Sequence, residues 1–431
     1  MQLVSGTIWN LKPSHSNRFV FEELSDGALA WDSSGKIQAV GPAKLLRKKY
    51  PKAREEKYPN SIILPGFIDT HIHFPQMRRI GCHGESLLGW LNKYIFPEEI
   101  EMSQKSIVRQ FAPLFFNELL LNGTTASLIF SSSDASTTEL LFQAAEKSGV
   151  TAVIGKVSMD RLAPKPLLRT PKRDREESVE LIKKWHGRHK RLFYALTPRF
   201  SPACSDNLMH TLGELHQEYP SLTIQTHFAE NLEELQLVKK MFPRSKDYLH
   251  TYEQFGLLGA RTVLAHGIYA TPRELDRLAN SKAHLAHCPT SNLFLGSGLF
   301  PLGAYQDQKI NVSIGTDVGA GTSFSVWNTL AAAYQVQRLR KSDIDPTQLL
   351  EMATLAGARA LGLEDQLGNF EVGKSADFQI IDWSKQPILK ARIESSQDAE
   401  DRFFACLFHF EKSLLQAVFA GGKKITRRKL L

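Results

Sequence analysis

Cysteine is scarce. The 431 residues contain four, Cys82, Cys204, Cys288 and Cys406, far apart and with no CxxC pair. That spacing excludes a disulfide scaffold and a zinc finger, and makes a reducing, cytoplasmic setting the expectation. Long apolar runs are missing too; none approaches the roughly 18 residues of a membrane span, so no membrane is expected as a partner. The opening MQLVSGTIWNLKPSH lacks a basic start followed by an apolar core, which argues against a signal peptide. Internal repeats and low-complexity tracts are absent. With 42% hydrophobic and 23% charged residues, 28 Gly and 20 Pro, the composition is neither collagenous, disordered nor coiled-coil. Lys and Arg number 53 against 45 Asp and Glu, a net charge of +8. The excess is mild for the length and lies largely in 44–57 and 421–431, which, like the charged 171–178, read as solvated surface, so no nucleic acid is expected.

What the chain does have is alternation. Both ends read as short strands and turns, as in GALAWDSSGKIQAVG, SADFQIIDW and LLQAVFAGGKKI. The middle alternates strand and helix patterns. Strand candidates are 61–73, 124–130, 151–157, 192–198, 222–228, 262–266, 283–288 and 311–317. Helical patterns at 137–150 and 274–281 fall between them. Eight strands in roughly 250 residues fit a (β/α)8 TIM barrel in the α/β class. The expected division is a small β-sandwich domain built from 1–63 and 367–431 around a catalytic barrel at 64–366. KPLLRTPKRDREES (165–178) reads as a long exposed loop.

The 14 histidines are placed informatively. Barrel strand one ends in Asp69-Thr70-His71-Ile72-His73, and residues two apart on a strand share a side. Strand five ends in His227, with Glu230 three residues on. Strand six ends in His266 and strand eight in Asp317. Active sites of such barrels lie at the C-terminal strand ends. Taken singly, a histidine there reads as a hydrogen-bonded structural residue. Three or four imidazoles and a carboxylate on one rim read as a catalytic site for Zn²⁺ or Fe²⁺. Glu230 suits proton transfer beside the metal; it also reads as a favourable charge at the start of the helical NLEELQLVKK. His287 and Cys288 form a tempting pair but read as structural.

PGFIDTHIH (65–73) resembles the opening motif of the amidohydrolase superfamily. DTHIHFPQ (69–76), LLGWLNKYIFPEE (87–99), TPRFSPAC (197–204), THFAEN (226–231), LAHG (264–267), AHCPTSNLFLGSGLF (286–300), GTDVGAGTSFS (315–325) and LGNFEVGKSADFQIID (367–382) extend the resemblance over nearly the whole chain. Within the superfamily they are most similar to the guanine deaminase family. Gly89 and Ile95 depart from that pattern, where a glutamate and a threonine are usual.

The resemblance implies one Zn²⁺ per subunit, with Fe²⁺ the alternative, held by His71, His73, His227 and Asp317. His266 would lie beside the metal. Glu230 would shuttle protons, and Gln76, Arg199 and Phe200 would bind guanine along with His227 and Glu230. It also implies a homodimer. The implied chemistry is hydrolytic deamination of guanine to xanthine and ammonia. Glu230 would take a proton from the activated water and give it to N3, and Asp317 would accept the second water proton. The residue types suit this. Guanine offers acceptors at O6 and N7, Gln76 and Arg199 supply donors, and Phe200 supplies an apolar face. A structural reading would instead pair Arg199 with a carboxylate and leave Phe200 in the core.

Four rivals are weighed against this. One is a mononuclear relative acting on a triazine, an adenosine derivative or cytosine, which the metal site cannot separate. A binuclear cyclic amidase needs a carboxylated lysine, usually at the fourth strand end. LTPRF has none, and Lys156 lies on the third. The zinc deaminase design with HxE and PCxxC is excluded by the absence of PCxxC. A non-catalytic scaffold relative would have lost ligands that are all present here.

Overall fold

The computed structural model describes residues 1–14, 19–83 and 86–426. The expected surface stretch 421–431 therefore lies partly outside the described residues. Four strands open the chain: β1 (Gln2–Pro13), β2 (Phe19–Trp31), β3 (Ile37–Pro42) and β4 (Arg54–Pro65). Nine follow through the middle: β5 (Phe67–His73), β6 (Thr124–Phe130), β7 (Thr151–Gly155), β8 (Val157–Ser158), β9 (Leu192–Pro198), β10 (Thr223–Phe228), β11 (Thr262–His266), β12 (His284–His287) and β13 (Val312–Ile314). Three close the chain: β14 (Phe378–Asp382), β15 (Leu415–Ala420) and β16 (Lys423–Thr426).

The terminal strands meet in one seven-stranded sheet, ordered β16-β15-β14-β4-β1-β2-β3. Alternation along β4 explains its two buried faces: Ile62 and Leu64 enter the main core, while Ile63 joins a separate cluster with Val4, Leu29 and Phe378. The sheet curls around that cluster. Trp31 of β2 packs edge-on against Phe378 and Phe419 of β14 and β15, at ring-centroid distances of 5.5 and 5.4 Å.

The middle strands form a parallel barrel in chain order, β5-β6-β7-β9-β10-β11-β12-β13, with β8 paired to β9. The stretch expected as one strand at 61–73 is two. It changes sheets at Gly66, where a Cβ would come within 2.1 Å of Thr125 Oγ1. Among the described residues no ladder joins β5 to β13. That seam is held by Thr70 Oγ1 donating to the Ile314 carbonyl (2.8 Å), Asp317 N–H donating to the His71 carbonyl (2.8 Å), and the Asp69 carboxylate. Asp69 accepts from Thr316 N–H at 3.0 Å and from the Thr316 hydroxyl.

Two expectations are corrected. Residues 165–178 are not an exposed loop: a short 3-10 turn precedes the helix Pro171–Trp185. Thr170 caps that helix, Pro171 suits its first turn, and Asp174, Ser178, Leu181, Ile182 and Trp185 bury one face. The charges on that face are used inside, since Asp174 accepts from the fully buried Lys156. The C-terminal part is also not all β. Helices Pro387–Glu394 and Ala399–His409 intervene between β14 and β15, and Phe403 and Leu407 of the second enter the main core.

Candidate active site

Parallel strands bring their C-terminal ends to one rim, and the chemistry-bearing residues collect there. His71 and His73 end β5, His227 lies one residue from the end of β10, and His266 ends β11. Asp317 follows β13. His266 and Asp317 have φ of 71° and 51°, in the left-handed region that costs a non-glycine residue about 1 kcal/mol or more. The strain is held by the seam bond from Asp317 and by the Asn292 contact to His266 described below.

The Nε2 atoms of His71 and His73 are 3.3 Å apart, and those of His73 and His227 3.2 Å. Asp317 Oδ1 lies 3.4 Å from His71 Nε2 and 3.2 Å from His73 Nε2. A tetrahedral shell with ligand bonds of about 2.0–2.1 Å has edges of about 3.3 Å, which these four separations match. One ligand atom from each of His71, His73 and Asp317, and likewise from each of His71, His227 and His266, lies within 4.8 Å of the others, close enough to hold an ion. The protonation of His71, His227 and Asp317 fits as well. Burial pulls the His71 pKa down to about 4, and burial with the neighbouring imidazoles pulls His227 well below its ordinary value. Burial would raise the Asp317 carboxyl, but hydrogen bonding to His71 and His73 outweighs it and holds the group well below the usual range. Neutral imidazoles beside an ionised carboxylate are the forms that bind a cation. The His227 Nδ1 lies 2.6 Å from the Arg199 carbonyl, an acceptor only, which leaves Nε2 bare toward the centre. Phe130, at the end of β6, packs against the rings of His71, His73 and His227 at centroid distances of 4.9, 4.5 and 5.0 Å.

His266 stands beside this group. Its Nδ1 is 2.9 Å from Asn292 Oδ1, and its buried Nε2 has no hydrogen-bond partner among the described residues. That Nε2 is 3.5 Å from Glu230 Oε2 and 4.0 Å from Asp317 Oδ2. Burial alone would lower the His266 pKa, but the charges of Glu230 and Asp317 raise it. Glu230 is pushed up to about 7, chiefly by burial, with Glu234 and Asp317 adding to the rise. Ser297 Oγ donates to its Oε1 at 3.2 Å. Glu230 is not the helix-capping glutamate. Glu234 fills that role, accepting from the backbone N–H of Glu230 at 2.9 Å, while Asn231 caps the helix Leu232–Met241.

A partly open cavity adjoins these groups. Gln76, Arg199 and Phe200 line it together with Glu230, and Trp90 and Leu295 give it apolar walls. Arg199 and Gln76 share one carboxylate, Glu99, with Arg199 Nη1 at 2.5 Å and Gln76 Nε2 at 3.3 Å. Arg199 is thus both paired with a carboxylate and part of the cavity lining. Ile95 is buried with Trp90 and Ala320 behind the wall, which suits an apolar residue there.

All nine expected site residues come together. Lys156 is committed to Asp174, away from any bridging role. His287 stays out of the cluster and stacks on Phe300 at 4.3 Å. Sequence reasoning missed Glu99, Phe130, Glu234, Asn292 and Ser297. Glu99 lies inside FPEE, Asn292 and Ser297 inside SNLFLGSG, Phe130 at the end of the strand pattern TTASLIF and Glu234 in the helical NLEELQLVKK, and only those places hinted at them.

The Amidohydrolase family model matches residues 62–422. This chain belongs to the amidohydrolase family. Among members of known activity it is 38% identical to guanine deaminase of Escherichia coli (strain K12) over 406 residues, covering 94% of this chain and 92% of that one. It is 39% identical to the probable guanine deaminase of Deinococcus radiodurans over 415 residues, 94% of each. The solved E. coli guanine deaminase superposes with a TM-score of 0.95 at 36% identity, over 99% of this chain and 100% of that one. The C. acetobutylicum enzyme, solved with guanine in its active site, gives 0.90 at 30% identity, over 98% and 99%.

Proposed function

We propose that the chain is a guanine aminohydrolase, turning guanine and water into xanthine and ammonia. One juxtaposition carries this: the donors of Gln76 and Arg199 line the same cavity as Glu230 and the histidine–aspartate cluster. Similarity to guanine deaminases along the whole chain supports it.

Three imidazoles and one carboxylate suit Zn²⁺, with Fe²⁺ the alternative. The ion, held by His71, His73, His227 and Asp317, would supply the Lewis acidity that makes water nucleophilic at neutral pH. Gln76 and Arg199 donate to the acceptor edge of the purine, and Phe200 lies against its face. Glu230 takes one water proton and delivers it to N3 of the base. Its carboxyl, raised to about 7, is poised to accept and release protons near neutrality. The water oxygen bonds to the ring carbon that carries the exocyclic amine, Asp317 accepts the second water proton, and Glu230 relays that proton to the amine as its bond to the carbon breaks and ammonia leaves. His266, fixed by Asn292, orients the water between Glu230 and Asp317.

The division of the chain into 1–63 with 367–431 and 64–366 belongs to the same proposal, supported by the change of sheet at Gly66. A homodimer and a cytoplasmic setting rest on the family resemblance and the cysteine pattern. No described helix is long and apolar enough to cross a membrane. Loss of guanine absorbance in the ultraviolet, with adenine, cytosine and ammeline in parallel, tests the activity. Metal-loaded protein that leaves guanine unchanged would overturn it.

A further inference from the structure

We propose that Glu99 is a positioning residue that sets substrate class: it orients the donors of Gln76 and Arg199 and neutralises the guanidinium, so the cavity takes a neutral oxopurine and rejects an anionic one. This rests on the guanine reading above and adds the selection by charge.

Glu99 lies on the helix Phe96–Glu101 and is 6% exposed; Gln76 and Arg199 are 3% and 4% exposed. A carboxylate only accepts, so the contact at 3.3 Å requires Gln76 to turn its amide nitrogen toward Glu99. Gly319 holds the other side of that amide, for a Cβ there would come within 2.2 Å of Gln76 Oε1. Gln76 is thereby locked in one orientation, with its second N–H left for a ligand. Arg199 is gripped twice by the same helix. Its Nη1 meets Glu99 at 2.5 Å, and its guanidinium carbon lies 5.3 Å from the centroid of Phe96, one turn earlier.

The helix is itself pinned to the segment that carries Gln76. Glu98, wholly buried, accepts from Arg78 at 2.6 Å and also pairs with Arg79. Glu98 and Glu99 therefore fix the Gln76 segment and the Arg199 loop relative to each other. An unpaired buried guanidinium would attract anions strongly; one already paired offers hydrogen bonds with little net charge. The cavity so built suits a base that is polar but uncharged.

The test uses the metal-loaded full chain. E99Q preserves shape and removes the charge. Its KM for guanine should rise about tenfold or more while kcat stays within about threefold and metal content is unchanged. Xanthine binding, measured by calorimetry in mildly alkaline buffer where its ring N–H is largely ionised, should tighten about fivefold or more relative to wild type. E99D keeps the charge with a shorter reach, and should raise KM while leaving xanthine affinity at the wild-type level; it also serves if E99Q folds poorly. Unchanged KM and unchanged xanthine affinity in E99Q would overturn the proposal, as would tighter xanthine binding in E99D. A wild-type protein inert toward guanine would instead refute the activity, since the xanthine measurement does not depend on turnover.

Discussion

His73 and His227 stand 154 residues apart in the chain, yet their Nε2 atoms are 3.2 Å apart at the ends of β5 and β10. Two Nε2 atoms that close share either a hydrogen or a cation, and the Asp317 carboxylate 3.2 Å from His73 Nε2 suits the cation. His73→Ala and His227→Ala should each abolish stoichiometric metal in elemental analysis and lower kcat/KM by about a thousandfold or more, with circular dichroism unchanged. Retention of one ion per chain in either variant would refute the ligand set.

Among the described residues Glu230 makes no hydrogen bond or ion pair with His71, His73, His227 or Asp317, its near neighbours being His266 and Ser297, so its role separates from binding of the ion. Glu230→Gln should keep full metal content and lose about a thousandfold or more in kcat. Normal turnover by that variant would remove Glu230 from the chemistry.

Ser297 donates to Glu230 Oε1 at 3.2 Å and thereby favours the ionised carboxyl. Ser297→Ala should raise the pKa of Glu230 further. Because Glu230 must be ionised to take the water proton, the acid limb of the kcat/KM profile should move to higher pH, by about half a unit to one unit. A shift to lower pH would contradict this assignment.

Asp69 holds the seam by which β5 and β13 bring His71, His73 and Asp317 together. Asp69→Asn loses an acceptor for the Thr316 hydroxyl or N–H. Its metal affinity, read by competition with a chelator, should fall about tenfold to a hundredfold. Unchanged affinity would show that the seam closes without it.

His287 is fully buried, and neither ring nitrogen has a hydrogen-bond partner among the described residues. Burial lowers its pKa from 6.5 to about 3. As pH falls through that window the unfolded chain gains a proton that the folded chain refuses, so stability is lost from about 6.5 downward. His287→Phe removes this penalty. Whatever its stability at pH 7, the variant should gain on wild type by on the order of 3 kcal/mol on acidification to about pH 4. Parallel thermal-melting curves across that range would disprove the neutral-imidazole account.

The sequence by itself determined the strand sites of the barrel and the placement of His71, His73, His227, His266 and Asp317 at their C-terminal ends. Those are local properties: a buried parallel strand is a short apolar run, and a period of two sends His71 and His73 to one side. Local pattern misled where a charged, proline-containing stretch was read as loop. There Thr170 and Pro171 start a helix, and Asp174 finds its cation in Lys156, in the break between β7 and β8. Tertiary structure alone decided how the site is held. Glu99 meets Arg199 across 100 residues of chain, and Asp69 meets Thr316 across 247. Such pairings leave no periodic trace in either partner's neighbourhood, because they exist only once the barrel has brought segments distant in the chain to one rim.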